Sequence, residues 1–285
     1  MITDTFIEQL KTNTTLRRLD LTTCGLTSIS VRSLAEALAA NKSMEYLNIS
    51  CNNLCNDGIQ HLAYALRVNQ SLKIFYLQKC SITSSESLAE ALISNKYLNE
   101  LNISYNALGG DAIQHLANAL RVNQGLKKLD LTACNLSSLC AKNLAEALST
   151  NTHLEELDIS GNALRNGGIQ HIAHALQVNQ HLKRLELANC SITDDGLCCL
   201  VKSIHNHCAL NALLLHNSHC KFENVITENV IPVLIECLQL QSSHTLTELY
   251  LPDNFELARS VHDIREAIND IRKKSGVPIL EVKLR

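Results

Sequence analysis

Residues 16–26 read LRRLDLTTCGL, and the same spacing returns at 44–54 as MEYLNISCNNL. Both fit the pattern L-x-x-L-x-L-x-x-N/C-x-L. Further copies open at Leu72, Leu98, Leu126, Leu154, Leu182, Leu210 and Leu246. Most steps are 28 residues. The step from Leu72 to Leu98 is 26, with the deficit between Cys80 and Leu88. The step from Leu210 to Leu246 is 36, and most of its excess is expected after Cys220. Self-similarity at such a period predicts a stack of small supersecondary units.

Each copy predicts a short strand followed by a helix. Leu129 and Leu131 point one way along the strand, while Lys128, Asp130 and Thr132 point the other. In Gly168 to Gln177, Ile169, Ile172, Ala173 and Leu176 fall at i, i+3, i+4 and i+7, which is one apolar helix face. Neither half can bury its apolar side alone, so neighbouring copies must supply the cover. Small residues such as Ala89, Ala91, Ala117 and Ala119 let the helices approach closely. The position after the strand alternates strictly: Cys24, Asn52, Cys80, Asn106, Cys134, Asn162, Cys190. A buried Asn there is expected to bond backbone groups of adjacent turns, since chain leaving a strand still needs partners. A small thiol fits the same slot.

The alternating N/C position, the 28-residue period and the helical second half resemble leucine-rich repeats of the ribonuclease-inhibitor type. Segments 88–92 (LAEAL), 151–154 (NTHL) and 157–162 (LDISGN) are similar to repeats of cytosolic NOD-like receptors. The resemblance covers roughly residues 6 to 257. It implies an α/β solenoid curved into a horseshoe, with parallel strands on the concave face and helices on the convex face. It also implies a non-catalytic protein-binding module, the sensor or scaffold part of a receptor of innate immunity. The GTPase activator of Ran and tropomodulin-like cytoskeletal proteins share such repeats. Regulation of a small GTPase or of cytoskeletal filaments is therefore the alternative.

Two segments are expected: a solenoid of about nine repeats over 1–258 and a closing cap over 259–285. The chain opens inside a repeat, with Phe6, Leu10 and Leu16 matching Leu34, Leu38 and Met44. A solenoid normally carries a capping repeat, so the sequence reads as lacking an N-terminal part. No phosphate loop of the form G-x-x-x-x-G-K-[ST] occurs in it. At the other end, Val261 to Lys274 reads as an amphipathic helix with Ile264, Ala267, Ile268 and Ile271 on one face. Ser275-Gly276 breaks it, and Ile279 to Leu284 reads as a closing strand.

Composition excludes several classes. Leucine supplies 49 of 285 residues, tryptophan is absent and ten residues are aromatic. A short coil has room for aliphatic chains and little for large rings. A hydrophobic share of 46% is too high for a disordered chain. No apolar run approaches the ~20 residues of a membrane helix, and the first ten residues lack a secretory signal. A formal net charge of −3 gives no electrostatic case for nucleic acid. The expected partner is a protein, with no membrane, no nucleic acid and no cofactor, and the module is expected to be a cytoplasmic monomer.

The chemistry-bearing residues are read as structural. Successive slot cysteines Cys24, Cys80, Cys134 and Cys190 lie two strands apart, about 9–10 Å at ~4.8 Å per strand, and a disulfide needs alpha carbons within ~7 Å. They are expected to be buried free thiols in a reducing compartment. Cys198, Cys199, His205, His207, Cys208, His216, His219 and Cys220 are thiolate and imidazole donors, but their spacing fits no common zinc motif. Cys198 and Cys199 fall on an outer helix face and His216 on the strand face. His61, His115 and His171 recur two repeats apart, too far for one metal. Arg165, in a strand-to-helix loop, is the nearest candidate for a supplied arginine acting on a GTPase.

The best functional lead is the strand face. One column runs Asp20, Asn48, Tyr76, Asn102, Asp130, Asp158, Glu186, Leu214, Tyr250. Its neighbour runs Arg18, Tyr46, Ile74, Glu100, Lys128, Glu156, Arg184, Ala212, Glu248. Tyr and Arg are the usual interface anchors. Tyr46, Ile74 and Tyr76, with Tyr105 nearby, predict an exposed apolar patch. Asp130, Asp158 and Glu186 predict an acidic stripe that prefers a basic partner segment. The expected contact set is completed by Asn102, Lys128, Glu156 and Arg184.

Overall fold

The structure, a computed structural model, describes residues 3–204, 209–218, 221–239, 245–252, 265–266, 269–270, 273 and 279–284. It divides into two compact units, Met1–Asn135 and Leu136–Arg285. Among the described residues no helix is long and apolar enough to cross a membrane.

In the first unit, α1 (Asp4–Thr12), α2 (Ser28–Ala40), α3 (Cys55–Val68), α4 (Glu86–Ser94) and α5 (Gly109–Leu120) alternate with five strands. These are β1 (Arg18–Asp20), β2 (Tyr46–Asn48), β3 (Ile74–Tyr76), β4 (Glu100–Asn102) and β5 (Lys128–Asp130). A helix returns the chain after each strand, so all pairs are parallel. The middle residue of β2 to β5 (Leu47, Phe75, Leu101, Leu129) turns into the core and is buried. Each such side chain contributes about 1.5–3 kcal/mol relative to an exposed one. Phe75 departs from the expectation of an aliphatic core: its ring is fully buried in a leucine slot. It stands in the repeat that is two residues short, where α4 has nine residues against 14 in α3 and 12 in α5.

In the second unit, α6 (Ser138–Leu148), α7 (Arg165–Leu176), α8 (Asp194–Ile204) and α9 (Ile231–Gln239) alternate with β6 (Glu156–Asp158), β7 (Arg184–Glu186), β8 (Ala212–Leu214) and β9 (Glu248–Leu251). The expected closing strand is β10 (Glu281–Leu284), parallel to β9. Leu280, just before it, exchanges two hydrogen bonds with the side chain of Asn269. Of the expected helix 261–274, Arg265, Glu266, Asn269, Asp270 and Lys273 are helical. Ile264, Ala267, Ile268 and Ile271 lie outside the described residues.

Asparagine builds the stack twice. In the strand-to-helix turns, Asn52 Oδ1 accepts from Leu26 N at 2.9 Å, while its amide donates to Leu21 O and Ile49 O. Asn106 accepts from Cys80 N and Ile82 N and donates to Leu77 O and Ile103 O. The same four bonds recur at Asn224, which accepts from Cys190 N and Ile192 N and donates to Leu187 O and Leu215 O. Asn224 stands fourteen residues after Leu210, where Asn162 stands eight after Leu154. The long step therefore carries most of its excess ahead of Asn224, rather than after Cys220 as the sequence suggests. Asn217 closes that loop by exchanging two bonds with the Asn224 backbone.

The second ladder caps the helices. Helix α2 ends at Asn41, in extended conformation, and not at a glycine. Its amide donates to Leu10 O and Asn13 O, and its Oδ1 accepts from the backbone of Ser43 and Met44. Asn69, Asn95, Asn123 and Asn179 donate in the same way to the preceding helix end and the preceding Asn. Carbonyls orphaned at helix ends are thereby satisfied.

Two turn types underlie the Cys/Asn alternation. Around a slot cysteine, both flanking residues are left-handed: Lys79 and Ser81, Ala133 and Asn135, Asn189 and Ser191. Around a slot asparagine, the left-handed residues are the preceding one and the one three later: Cys51 and Cys55, Tyr105 and Gly109, Gly161 and Arg165. Cys80, Cys134 and Cys190 are buried free thiols, each donating to a carbonyl one repeat earlier (Ile49, Ile103, Ile159). Cys24 corrects the expectation, because it is exposed. Among the described residues no strand precedes β1, so its thiol meets only Thr22 O within its own turn.

Candidate partner-binding face

The strand face of the first unit carries both expected columns in register: Arg18, Tyr46, Ile74, Glu100 and Lys128 beside Asp20, Asn48, Tyr76, Asn102 and Asp130. Neighbouring strands lie about 4.8 Å apart, so long side chains on them lean on one another. Tyr46 and Tyr76 stack edge to face, with centroids 5.4 Å apart. The Arg18 guanidinium covers Tyr46 at 3.9 Å from its centroid. The Tyr76 hydroxyl donates to the Glu100 carboxylate. Burial, and then that hydrogen bond, push the Tyr76 phenol well above its usual pKa. The expected open apolar patch is thus corrected. Tyr46, Ile74 and Tyr76 are half-buried, packed by their cross-strand neighbours, and Tyr105 alone of the four is exposed. Lys79 Nζ lies 4.9 Å from the Tyr105 ring. Lys79 and Tyr105 each precede the slot residue of their turn, a correspondence that the alignment of repeats makes visible.

The other column has a structural duty. Asp20 Oδ1 accepts from the backbone and hydroxyl of Thr22, which hold its carboxyl below the usual range. Asn48, Asn102 and Asp130 likewise accept the backbone N–H two residues on. Their remaining groups pair across strands: Asn48 donates to Asp20 at 3.1 Å and Asn102 to Asp130 at 2.7 Å.

In the second unit the columns read Glu156, Arg184, Ala212, Glu248, Glu281 and Asp158, Glu186, Leu214, Tyr250, Lys283. Asp158 caps its turn through Ser160 N. Arg184 donates to Glu186 at 2.7 Å and to Glu248 at 3.5 Å, so the acidic row is partly neutralised from within. Ala212, Leu214 and Tyr250 form a small buried cluster where an open face was expected. Apolar residues on adjacent strands close on each other there. The Tyr250 ring meets His216 edge to face and the Lys283 ammonium at 5.4 Å. Strand β10 thus adds Glu281 and Lys283 to the columns.

Cys198 and Cys199 sit on α8, half-buried, and burial raises the Cys198 thiol pKa. His205, His207, Cys208, His219 and Cys220 lie outside the described residues. Arg165 opens α7, exposed and left-handed at φ 57°, and its backbone N–H donates to Cys190 O.

The family model described as Leucine Rich repeat matches residues 12–35, 40–63, 94–117, 150–173 and 178–201. No curated protein sequence matches the chain. Among solved structures, it is similar to the tropomodulin C-terminal domain from Caenorhabditis elegans. Identity is 19% and the TM-score 0.44, over 52% of this chain and 93% of that one. It is also similar to the leiomodin-1 actin-binding site 2, at 18% identity and a TM-score of 0.45, over 53% of this chain and 91% of that one. The matched repeats and the strand-helix alternation agree: the chain has the α/β fold of a leucine-rich-repeat solenoid.

Proposed function

We propose that the chain is a non-catalytic binding module whose protein partner docks on the strand face. In the first unit the contact runs across Tyr46, Ile74, Tyr76 and Tyr105, with Asn102, Lys128 and Asp130 beside them. In the second unit it runs across Glu156, Asp158, Arg184 and Glu186. The observation that carries this reading is the state of Tyr76. Its ring is fixed by Tyr46 and its hydroxyl by Glu100 before any partner arrives. A rigid aromatic anchor loses little side-chain entropy on binding. Segments 88–92 and 157–162 support placing the module with the repeats of NOD-like receptors, as a cytosolic sensor or scaffold. The buried thiols Cys80, Cys134 and Cys190 suit a reducing compartment. The pairing of β10 with β9 supports residues 259–285 as the closing cap of a solenoid over 1–258.

The test is affinity capture from cytosolic extract with the wild type, Tyr76→Ala, Arg184→Glu and Arg165→Ala. A protein retained by the wild type and Arg165→Ala, and lost from both strand-face variants, is the expected result. If every captured protein survives both strand-face changes, the docking face is elsewhere. Actin-filament cosedimentation and a GTPase-stimulation assay on the same variants address the alternatives. Stimulation abolished by Arg165→Ala would replace the binding-module reading.

A further inference from the structure

The two edges of the first unit differ sharply in charge. Its helix-to-strand connections, residues 13–17, 41–45, 69–73, 95–99 and 121–127, hold Arg17, Lys42, Lys73, Lys96, Arg121 and Lys127 against a single carboxylate, Glu45. Arg67, in the last turn of α3, adds to them. The strand-to-helix connections of the same unit hold one charged residue, Lys79. Glu45 is already engaged by Arg17 and Lys73. Among the described residues, Lys42, Arg67 and Lys96 have no carboxylate partner.

Some positive charge is expected at helix C-termini, where it offsets the dipole. Apolar exposure is not. Val68, Ile93, Tyr97 and Val122 are 46–56% exposed, and all four lie at these same helix ends and connections. An open groove of about 420 Å³ runs between Lys42 and Val68, lined also by Ala39 and Gln70. The second unit repeats the apolar exposure at Val178 but lacks the charge excess: in its described helix-to-strand connections, Glu155 and Lys183 pair at 2.7 Å.

We propose that this edge of the first unit is a second docking surface, for an acidic peptide segment that interleaves carboxylates with aliphatic side chains. Cations run along all five connections, half-exposed apolar residues stand beside them in the last three (Arg67 with Val68, Lys96 with Tyr97, Arg121 with Val122), and helix ends in a stack stand about 10 Å apart. An extended chain covers that distance in roughly three residues. Each of these apolar residues keeps about half its surface covered, which suits a chain lying along the edge and not insertion into a bilayer. The surface is separate from the strand face and does not depend on its role.

The test is selection of a displayed twelve-residue random peptide library on the full-length chain, with each enriched peptide re-measured on Lys42→Glu/Arg67→Glu/Lys96→Glu, on Val68→Ser/Val122→Ser and on Tyr76→Ala. Circular dichroism confirms that each variant is folded. The expected result is a class of acid-rich peptides with spaced aliphatic residues that binds Tyr76→Ala normally. Such peptides should lose affinity about tenfold or more on the charge variant, as for the loss of three exposed ion pairs. They should weaken on the serine variant and dissociate as salt rises. If no enriched peptide is lost on the charge variant, or if those lost are not acidic, the proposal fails. It fails equally if vesicles containing phosphatidylserine, or a single-stranded oligonucleotide, bind through Lys42, Arg67 and Lys96 while no peptide does.

Discussion

The backbone N–H of Cys80 donates to Asn106 Oδ1 at 2.9 Å, so a cysteine turn is held by the asparagine of the turn that follows it. The dependence runs one way. The Asn106 side chain makes five bonds to two successive turns, whereas the Cys80 thiol makes long sulfur contacts to Ile49 O and Gln78 O. Asn106→Ala strands two donors and two acceptors in a dry turn. We expect a loss of about 3–5 kcal/mol in urea unfolding, against roughly 1 kcal/mol for Cys80→Ala. Equal costs would show that the slot is filled by volume and not by hydrogen bonds.

Thiol reactivity should separate the cysteines by position. Cys24, Cys51 and Cys55 are exposed, while Cys80, Cys134 and Cys190 are buried. Burial raises the Cys80 thiol to about 11 and the Cys190 thiol to about 12. Since the thiolate is the nucleophile, iodoacetamide at pH 8 should modify the exposed three in the native protein. The buried three should react only after denaturation. Mass mapping that finds Cys190 labelled as fast as Cys51 would contradict the stacked turn around it.

The same shifts make stability fall at high pH. A group whose folded pKa lies above its unfolded value contributes fully below the unfolded value, here near 9. That contribution is lost as pH climbs toward the folded value. For Cys80 the window is pH 9 to 11, and for Cys190 pH 9 to 12. The shift at Cys80 corresponds to about 2–3 kcal/mol. Melting temperature of the wild type should drop across this window more steeply than that of Cys80→Ala/Cys190→Ala. Parallel curves would mean that other groups carry the alkaline limb.

The repeat, its strand-helix halves and the asparagine slot are legible in the sequence because each depends on spacing within one turn of the coil. The misses come from neighbours in space. Cys24 has the residue type of a buried slot, but burial needs a strand turn before it. Asn224 has the right chemistry at the wrong spacing, since the loop closed by Asn217 displaces it. Burial of Ala212, Leu214 and Tyr250 follows from what stands on the adjacent strands, not from their alternation. The cap ladder at Asn41, Asn69, Asn95, Asn123 and Asn179 is written in the sequence as N-x-x-L/M ahead of β1 to β7, but its chemistry appears only when one helix end meets the next. On the strand face, columns are readable from the period. The clasp of Tyr76 by Glu100 is less so, because it joins different columns on different strands.

Arg165 offers a prediction that joins stability to function. It opens α7 at φ 57°, in the turn position that Gly109 fills at φ 68° two repeats earlier. A left-handed residue with a Cβ costs roughly 1–2 kcal/mol relative to glycine. Its backbone N–H still serves the stack by donating to Cys190 O at 2.9 Å. Glycine at this position keeps that donor and relieves the backbone. Arg165→Gly should therefore unfold later, by about 1 kcal/mol in urea, with partner capture through the strand face unchanged. An arginine kept there for its side chain predicts the same gain in stability together with loss of activity. A variant that gains stability and keeps its partner makes Arg165 a surface residue of the turn. One that gains stability and loses stimulation of a GTPase makes it the functional centre of the chain.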